Sequence, residues 1–395
     1  RYDASAGFND GTCSGMRNFT TTWAYDSNYY GSDSFSYVVC DDGIGAPGPQ
    51  CSTPVNVTLT VAGPRVWFVD NAVSGGGNDG RLASPFESLA AFNGSLLPGA
   101  GDFIFLASGS GAYSDGATAI SLADNQTVFG QGTTGVGFDA FTGITAAPNS
   151  LARPTLGGPR PVIESTGNGI LVNTSAGNSN TLRGFNIGNT TNGTGISGTI
   201  PGTLNISEVD ITGSGGLLSL DGASTGTLNA GFGSLGSASA ATTWVFEVVN
   251  MAGGSVSSGS TTIATGAMAP SQNAISISNT PAMTFDFGDL STILTTNGAG
   301  IVTNNPGSVT ISPPLPVTIQ TIGGPALSLS GGTYNGFNFS SLSTNTAVNG
   351  IVLNNTAGFI SCGGGNIQNT SGDAVVITGG SNSITLGTFI TNNAG

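Results

Sequence analysis

A short motif recurs along this chain at a spacing that few architectures can accommodate. It consists of a glycine or another small residue followed by a β-branched residue or leucine, and a strand-like stretch comes next. Its apolar residues are Ile170, Ile196, Leu217, Ile275, Ile301, Leu327, Ile351 and Val375. Successive copies are 26, 21, 58, 26, 26, 24 and 24 residues apart. A unit of this length cannot bury its apolar face alone, so neighbouring units have to stack on one another.

Each period contains three strand-like patches separated by turns rich in Asn, Gly, Ser and Thr, for example residues 203–212 after Ile196. Three strands per coil predict a parallel β-helix (β-solenoid) with three faces, whose coils lie about 4.8 Å apart. We expect the eight motif residues to face inward. The gap of 58 residues has room for two coils and an extra segment, so we predict an irregular excursion at about residues 231–262.

The start of this region has a pattern of its own. Its characteristic stretches are residues 66–71, 82–89, 101–106 and 124–132. They resemble the opening segment of pectin-lyase-like β-helices in secreted bacterial proteins. The resemblance implies a right-handed parallel β-helix over residues 63–395, with a cap at about residues 63–135. A brief helix is predicted over residues 86–92, preceded by a Ser-Pro pair.

Residues 1–62 have a different period. Apolar residues alternate with Ser and Thr, which is typical of half-buried antiparallel strands; they are Trp23, Phe35, Tyr37, Val39, Val55, Val57, Leu59 and Val61. Residues 25–43 resemble the cadherin-like and Ig-like repeats of large bacterial surface proteins. The fold class predicted for the chain is therefore all-β, with a partial Ig/cadherin-like sandwich at residues 1–62 followed by the β-helix.

Four cysteines occur in the chain. Cys40 and Cys51 flank a turn-rich stretch between two strand-like segments, and neighbouring antiparallel strands lie within disulfide reach. We predict a Cys40–Cys51 disulfide, the alternative being two free thiols in a reducing compartment. Cys13 and Cys362 remain, near opposite ends of the chain, as candidates for a bridge between subunits.

Calcium is the one cofactor that the resemblance to cadherin-like modules implies. The candidate ligands are Asp26, Asp33, Asp41 and Asp42, because carboxylate oxygens suit this ion. The alternative is that these aspartates are solvated turn residues, since no Asp-x-Asp-x-Asp string is present. No other cofactor or firm metal site is predicted.

Charge excludes several classes of function. The chain has no Lys and no His, and it contains seven arginines and 21 acidic residues, which give a net charge of −14. Nucleic acid would be repelled, and triads that need a histidine base are absent. Many parallel β-helices act on acidic polysaccharides, but no cation follows Arg183. The one carboxylate pair that merits attention for hydrolysis is Asp286 and Asp289.

These observations predict a non-catalytic, extracellular structural or adhesive protein, a segment of a bacterial surface adhesin or filament subunit. One alternative is a polysaccharide-processing β-helix enzyme. Another is a glycan-binding module, which would need an outer platform of aromatics such as Tyr113, Trp244 and Tyr334. The expected partners are a further stretch of chain, a second copy joined head to tail, or surface glycans. No run approaches the roughly 20 apolar residues of a membrane span.

Overall fold

The chain is described here by a computed structural model. It describes residues 31–40, 51–61, 63–75, 78–95, 97–114, 116, 118–145, 151–239, 242–263, 273–290, 292–312 and 316–392. Two compact units are distinguished: Arg1–Arg65 with Thr145–Ala152, and Val66–Ile144 with Arg153–Gly395. Among the described residues, no helix is long and apolar enough to cross a membrane.

The described part of the first unit contains an antiparallel hairpin. Strand β1 (Gly31–Tyr37) pairs with β2 (Val55–Val61), with Gly31 opposite Val61 and Tyr37 opposite Val55. Just beyond the paired strands, Cys40 and Cys51 form a disulfide. The predicted disulfide is confirmed. The predicted sandwich is not, because the described residues 31–40 and 51–61 form only one antiparallel sheet of two strands.

The second unit opens with short strands and two short helices. The strands are β3 (Val66–Val69), β4 (Phe103–Leu106), β5 (Tyr113–Ser114), β6 (Thr118–Leu122), β7 (Thr127–Gly130), β8 (Val162–Ser165) and β9 (Asn168–Asn173). The helices are α1 (Leu89–Gly94) and α2 (Phe138–Thr142). Helix α1 begins later than predicted because the Phe86 amide donates to the Phe68 carbonyl of β3, and Ser88 then caps the helix by accepting from the Ala91 amide.

Longer strands follow, many of which continue around a corner of the coil. They are β10 (Ser179–Thr190), β11 (Thr194–Thr199), β12 (Thr203–Ser214), β13 (Gly216–Ser239), β14 (Trp244–Ile263), β15 (Asn273–Gly288), β16 (Thr292–Leu294) and β17 (Ile301–Ser312). The last are β18 (Val317–Ile322), β19 (Leu327–Ser330), β20 (Thr333–Asn345), β21 (Ile351–Asn354), β22 (Ala357–Gln368), β23 (Val375–Thr378) and β24 (Ser381–Asn392).

All pairings between the strands β3 to β24 are parallel, and they form three ladders. The first ladder runs from β3 through β4 and β7 to the start of β24. The second runs from β5 and β8 to the end of β24, and the third from β6 and β9 to β23. The unit is a parallel β-solenoid of about 11 turns, as the repeat predicted.

The predicted inward-facing residues lie in the core. Seven of the eight are at most 2% exposed, and Val375 is partly buried against the same core. In the third ladder they belong to one column in register: Ile120, Ile170, Ile196, Leu218, Phe246, Ile275, Ile301, Leu327, Ile351 and Val375. Leu218 takes the place in the column that the spacing assigned to its neighbour Leu217, which is also buried.

The stretch predicted to be an irregular excursion consists largely of ladder strands. Residues 231–239 belong to β13, and most of the remainder lies in β14, which pairs with β13 on one side and β15 on the other. Phe246 of β14 supplies the column position missing from the motif series. Two longer coils therefore account for the gap of 58 residues.

Residues with a left-handed backbone conformation occupy the corner that follows the third ladder. In six successive coils, residues in register at this corner have a positive φ: Asn250, Asn279, Asn305, Gly331, Asn355 and Gly379. Asn and Gly adopt this conformation at the lowest cost. The frequency of Asn in the sequence thus has a structural reason at the corners.

Candidate functional site: the lateral loop and the outer wall

The predicted carboxylate pair lies on the outer surface of β15 and just after it. Asp286 and Asp289 are exposed, while Phe285 and Phe287 are buried, as strand alternation predicted. In the first ladder, Asp286 stands in register between Ser257 and Thr310. Hydroxyl groups do not titrate near neutral pH, so these two neighbours offer Asp286 neither a base nor an electrostatic partner.

Two of the three candidate platform aromatics are part of the core. Tyr113 is 1% exposed, and its hydroxyl donates to the carbonyls of Val69 and Ala107. Tyr334 is fully buried and hydrogen-bonded to the Thr303 hydroxyl, and burial raises the pKa of its phenol. Trp244 is partly buried. Tyr113 and Tyr334 therefore do not form part of an outer aromatic platform.

The candidate cysteine bridge involves one described residue. Cys362 is 4% exposed and its thiol donates to the Gly364 carbonyl at 3.1 Å. Burial raises the pKa of this thiol, which lowers its reactivity. Cys13 lies outside the described residues.

Three of the four candidate calcium ligands lie outside the described residues. Asp26, Asp41 and Asp42 lie outside the described residues, and Asp33 lies in β1 opposite Leu59. Within the described ranges, no group of three or more His, Cys, Asp or Glu side chains could hold a metal ion.

The most elaborate side-chain cluster lies where residues 131–144 and 153–160, together named here the lateral loop, cover the outside of the first ladder. Phe68, Phe105 and Phe129 stand in register on the outer side of β3, β4 and β7. Helix α2 places Phe138 against all three, at ring distances of 5.9, 5.5 and 5.4 Å respectively. These four rings are at most 5% exposed and form a cluster separate from the main core.

Arg183 of β10 connects the lateral loop to the outer surface of the first ladder. Its Nε donates to Glu208 Oε2 at 2.7 Å, its Nη2 donates to the Thr134 carbonyl at 2.7 Å, and its guanidinium lies 5.5 Å from the centre of the Phe141 ring. The Thr134 amide and hydroxyl also donate to Glu208. Although partial burial opposes ionisation, the hydrogen bonds from Arg183 and Thr134 hold the pKa of Glu208 at about 2.

Two further arginines belong to the loop itself. Arg160 Nη1 donates to Oδ2 of Asp210, a residue of β12, at 2.8 Å. Arg153 pairs with Asp139 at 3.2 Å and lies 5.8 Å from the centre of the Phe138 ring. An open groove of about 410 Å³ runs along this part of the loop, lined by Val136–Ala140 and Arg153–Leu156.

This arrangement holds a loop in place and is poorly suited to acid–base chemistry. A general acid needs a pKa near the working pH, whereas Glu208 is held ionised far below neutrality. The arginines that would neutralise an acidic substrate are already paired with carboxylates. Sequence reasoning missed this cluster. The available signal was that three of the seven arginines fall between residues 153 and 183.

Beyond the lateral loop, the outer wall of the first ladder is polar and almost uncharged. One column in register consists of Asn205, Asn229, Ser255, Thr284, Ser308 and Thr333. Hydrogen bonds connect neighbours between coils: Asn229 Nδ2 donates to Asn205 Oδ1 at 3.0 Å, and Asn335 Nδ2 to Ser308 Oγ at 3.3 Å. The outer surface of the first ladder therefore presents many hydroxyl and amide groups, and these groups repeat at the distance between neighbouring coils.

No family model, curated protein or solved structure matches the chain. What the protein does is therefore inferred from its own residues and their geometry.

Proposed function

We propose that this chain is a non-catalytic structural segment of an extracellular rod, belonging to a bacterial surface adhesin or filament with an Ig-like part and a right-handed β-helix. The observation that carries the proposal is the unbroken inward column from Ile120 to Val375. At about 4.8 Å per coil, about 11 turns give a packed rod about 50 Å long. A rod of this kind spans distance without requiring a reactive site.

The surface chemistry supports a passive or adhesive role. From residue 185 onward the sequence contains seven acids and no cation, so long-range attraction to an anionic polymer is absent. The polar wall suits contact with a neutral surface through many weak hydrogen bonds. The partners that we propose are neutral surface glycans, and either further coils of the same polypeptide or a second copy joined head to tail.

An extracellular location is part of the proposal. The Cys40–Cys51 disulfide supports it, because such bonds persist mainly in oxidising compartments. Disulfides of this kind occur both outside the cell and in the bacterial periplasm, and labelling of intact cells distinguishes the two locations.

The decisive experiment uses intact cells of the organism that encodes the chain. An antibody raised against residues 153–395 should label unpermeabilised cells, and external protease should remove the label. Labelling that requires permeabilisation would overturn the proposal. A binding assay with insoluble neutral polysaccharides should be run in parallel, with an anionic polysaccharide as the control.

A further inference from the structure

The side-chain contacts that hold the lateral loop depend on arginine. Arg153, Arg160 and Arg183 each pair with a carboxylate, at 3.2, 2.8 and 2.7 Å respectively. Two of the guanidinium groups also lie over aromatic rings, those of Phe138 and Phe141. A planar guanidinium can pair with a carboxylate and stack on a ring at the same time, which a compact ammonium group does less well. The loop therefore needs arginine at these three positions.

Each of these arginines also creates a peptide bond of the kind that trypsin-like proteases cut. Such proteases cut after Arg or Lys, and the chain has no Lys, so its arginines alone decide where they can act. Exposed loop segments are the preferred sites of cleavage. In the lateral loop, residues 153–155 belong to neither helix nor strand, and Thr155 is exposed. The bond that follows Arg153 lies in this segment.

Both arginines of the lateral loop are followed by proline. Arg153 precedes Pro154, and Arg160 precedes Pro161. Proline has no N–H, and its ring fixes φ and restricts the backbone of the residue before it. A trypsin-like protease holds the residues on both sides of the cleaved bond in an extended form, and it accepts proline poorly just after that bond. Arg–Pro bonds therefore resist these proteases even where the chain is accessible.

Arg183 is protected in a different way, because it lies in a strand. Gly184 follows it, but β10 is paired on both sides here, with Phe129 of β7 and Ser207 of β12 in register with Arg183. A strand paired on both sides can enter the cleft of a protease only after local unfolding, and a proline in such a strand would remove a ladder hydrogen bond. Proline thus follows arginine in the loop and is avoided within the ladder.

We propose that the lateral loop resists cleavage by proteases that cut after basic residues, and that Pro154 and Pro161 confer this resistance. The loop can then be held in place by arginines without becoming the point at which the solenoid is cut. The inference concerns the reaction of the purified chain with a protease, so it stands or falls separately from the proposed location and adhesive role.

The test compares two variants of the 395-residue chain, Asp139→Asn and Asp139→Asn with Pro154→Ala. The ion pair has to be removed in both, because the Arg153 side chain is 12% exposed and its pairing with Asp139 could itself hinder a protease. Under native conditions we expect trypsin to leave the bond after Arg153 intact in the first variant. In the second variant it should release a fragment that ends at Arg153, identified by mass spectrometry.

Pro159 provides the matched control. It lies in the same loop, is exposed and follows Gly158, so that Pro159→Ala also removes the restraint of a proline ring but leaves both Arg–Pro bonds unchanged. Asp139→Asn with Pro159→Ala should therefore remain uncut in the lateral loop. Protection of the Ile275 amide against hydrogen exchange reports that the solenoid stays folded in each variant.

Four outcomes would overturn the proposal. Cleavage after Arg153 in Asp139→Asn would show that the ion pair protects this bond and that Pro154 does not. An intact bond in the variant with Pro154→Ala would show that packing of the loop is sufficient. Cleavage of the Pro159→Ala variant after Arg153 would mean that loop flexibility decides, and cleavage of the parent chain after Arg160 would contradict the role given to Pro161.

Discussion

Replacing Ile301 with alanine tests the central feature of the rod, which is the inward column. Ile301 is 2% exposed and stands in register between Ile275 and Leu327. The substitution removes three buried carbon atoms, worth about 2.4 kcal/mol at about 0.8 kcal/mol each. The cavity left between stacked coils adds to this, so we expect a loss of about 2 to 5 kcal/mol.

The loss should be local, because each coil of a solenoid contacts only its neighbours. Native-state hydrogen exchange read residue by residue is the suitable assay, since a chain of stacked repeats need not unfold in one step. Amides near Ile275, Ile301 and Leu327 should lose protection, whereas those near Ile170 should keep it. A uniform loss over the whole chain would refute the assumption of short-range coupling.

Val302 provides the matched control for this prediction. It is the next residue in β17 and is partly exposed on the outer side, in register with Ser276 and Ser328. Val302→Ala also removes apolar carbon from a β-branched residue, but it leaves no enclosed cavity. Its effect should be well below that of Ile301→Ala. An equal effect would mean that intrinsic strand propensity, and not core packing, determines stability here.

Three further outcomes are expected. The pKa of Glu208 is lowered to about 2 from the usual 4.5, so its ion pair stabilises the folded chain above about pH 4.5, and this contribution is lost as the pH falls towards 2. Protection of the Thr134 amide against exchange should fall over the same pH range, and Glu208→Gln should abolish this pH dependence. A profile that Glu208→Gln leaves unchanged would show that the hydrogen bonds to Glu208 do not hold the lateral loop. Reduction of the Cys40–Cys51 disulfide should destabilise the hairpin of the first unit by about 3 kcal/mol for a loop of this length and leave the Ile275 amide protected; lost protection there would contradict the prediction. Assays with uronans and neutral glycans should show no turnover, and an activity that disappears in Asp286→Asn would overturn the non-catalytic assignment.

The periodic part of the fold could be predicted from sequence because one physical requirement recurs in each coil. Gly300 illustrates it: a Cβ there would lie 2.4 Å from the Ala326 carbonyl oxygen of the next coil, so the position before the inward residue must be small. The motif fails at Phe246, which is preceded by Val245. There the coil is longer, and the register could be established only from the strand pairings.

The lateral loop could not be predicted for the opposite reason, since nothing in it repeats. Its position depends on contacts between residues far apart in sequence, such as Arg183 with Thr134 and Glu208 with Thr134. Helix α2 is five residues long, too short for helical periodicity to be recognised. The N-terminal end of the solenoid shares this limitation, because the segment that hydrogen-bonds to the outer edge of β3 does not belong to the repeat that identifies the coils.

The unusual composition follows from stacking. In a parallel ladder, residues in register are direct neighbours, and like charges placed opposite one another are destabilising. On the outer surface of the solenoid the acids are accordingly separated by uncharged residues: in the first ladder Asp286 lies between Ser257 and Thr310, and in the third ladder Glu247 lies between Ser219 and Ser276. Ser, Thr and Asn can occupy every coil because they carry no charge and can hydrogen-bond to their neighbours. A chain that builds many coils therefore becomes rich in these residues and poor in charge, which leaves a hydroxyl-rich surface with few, widely spaced acids for its contacts.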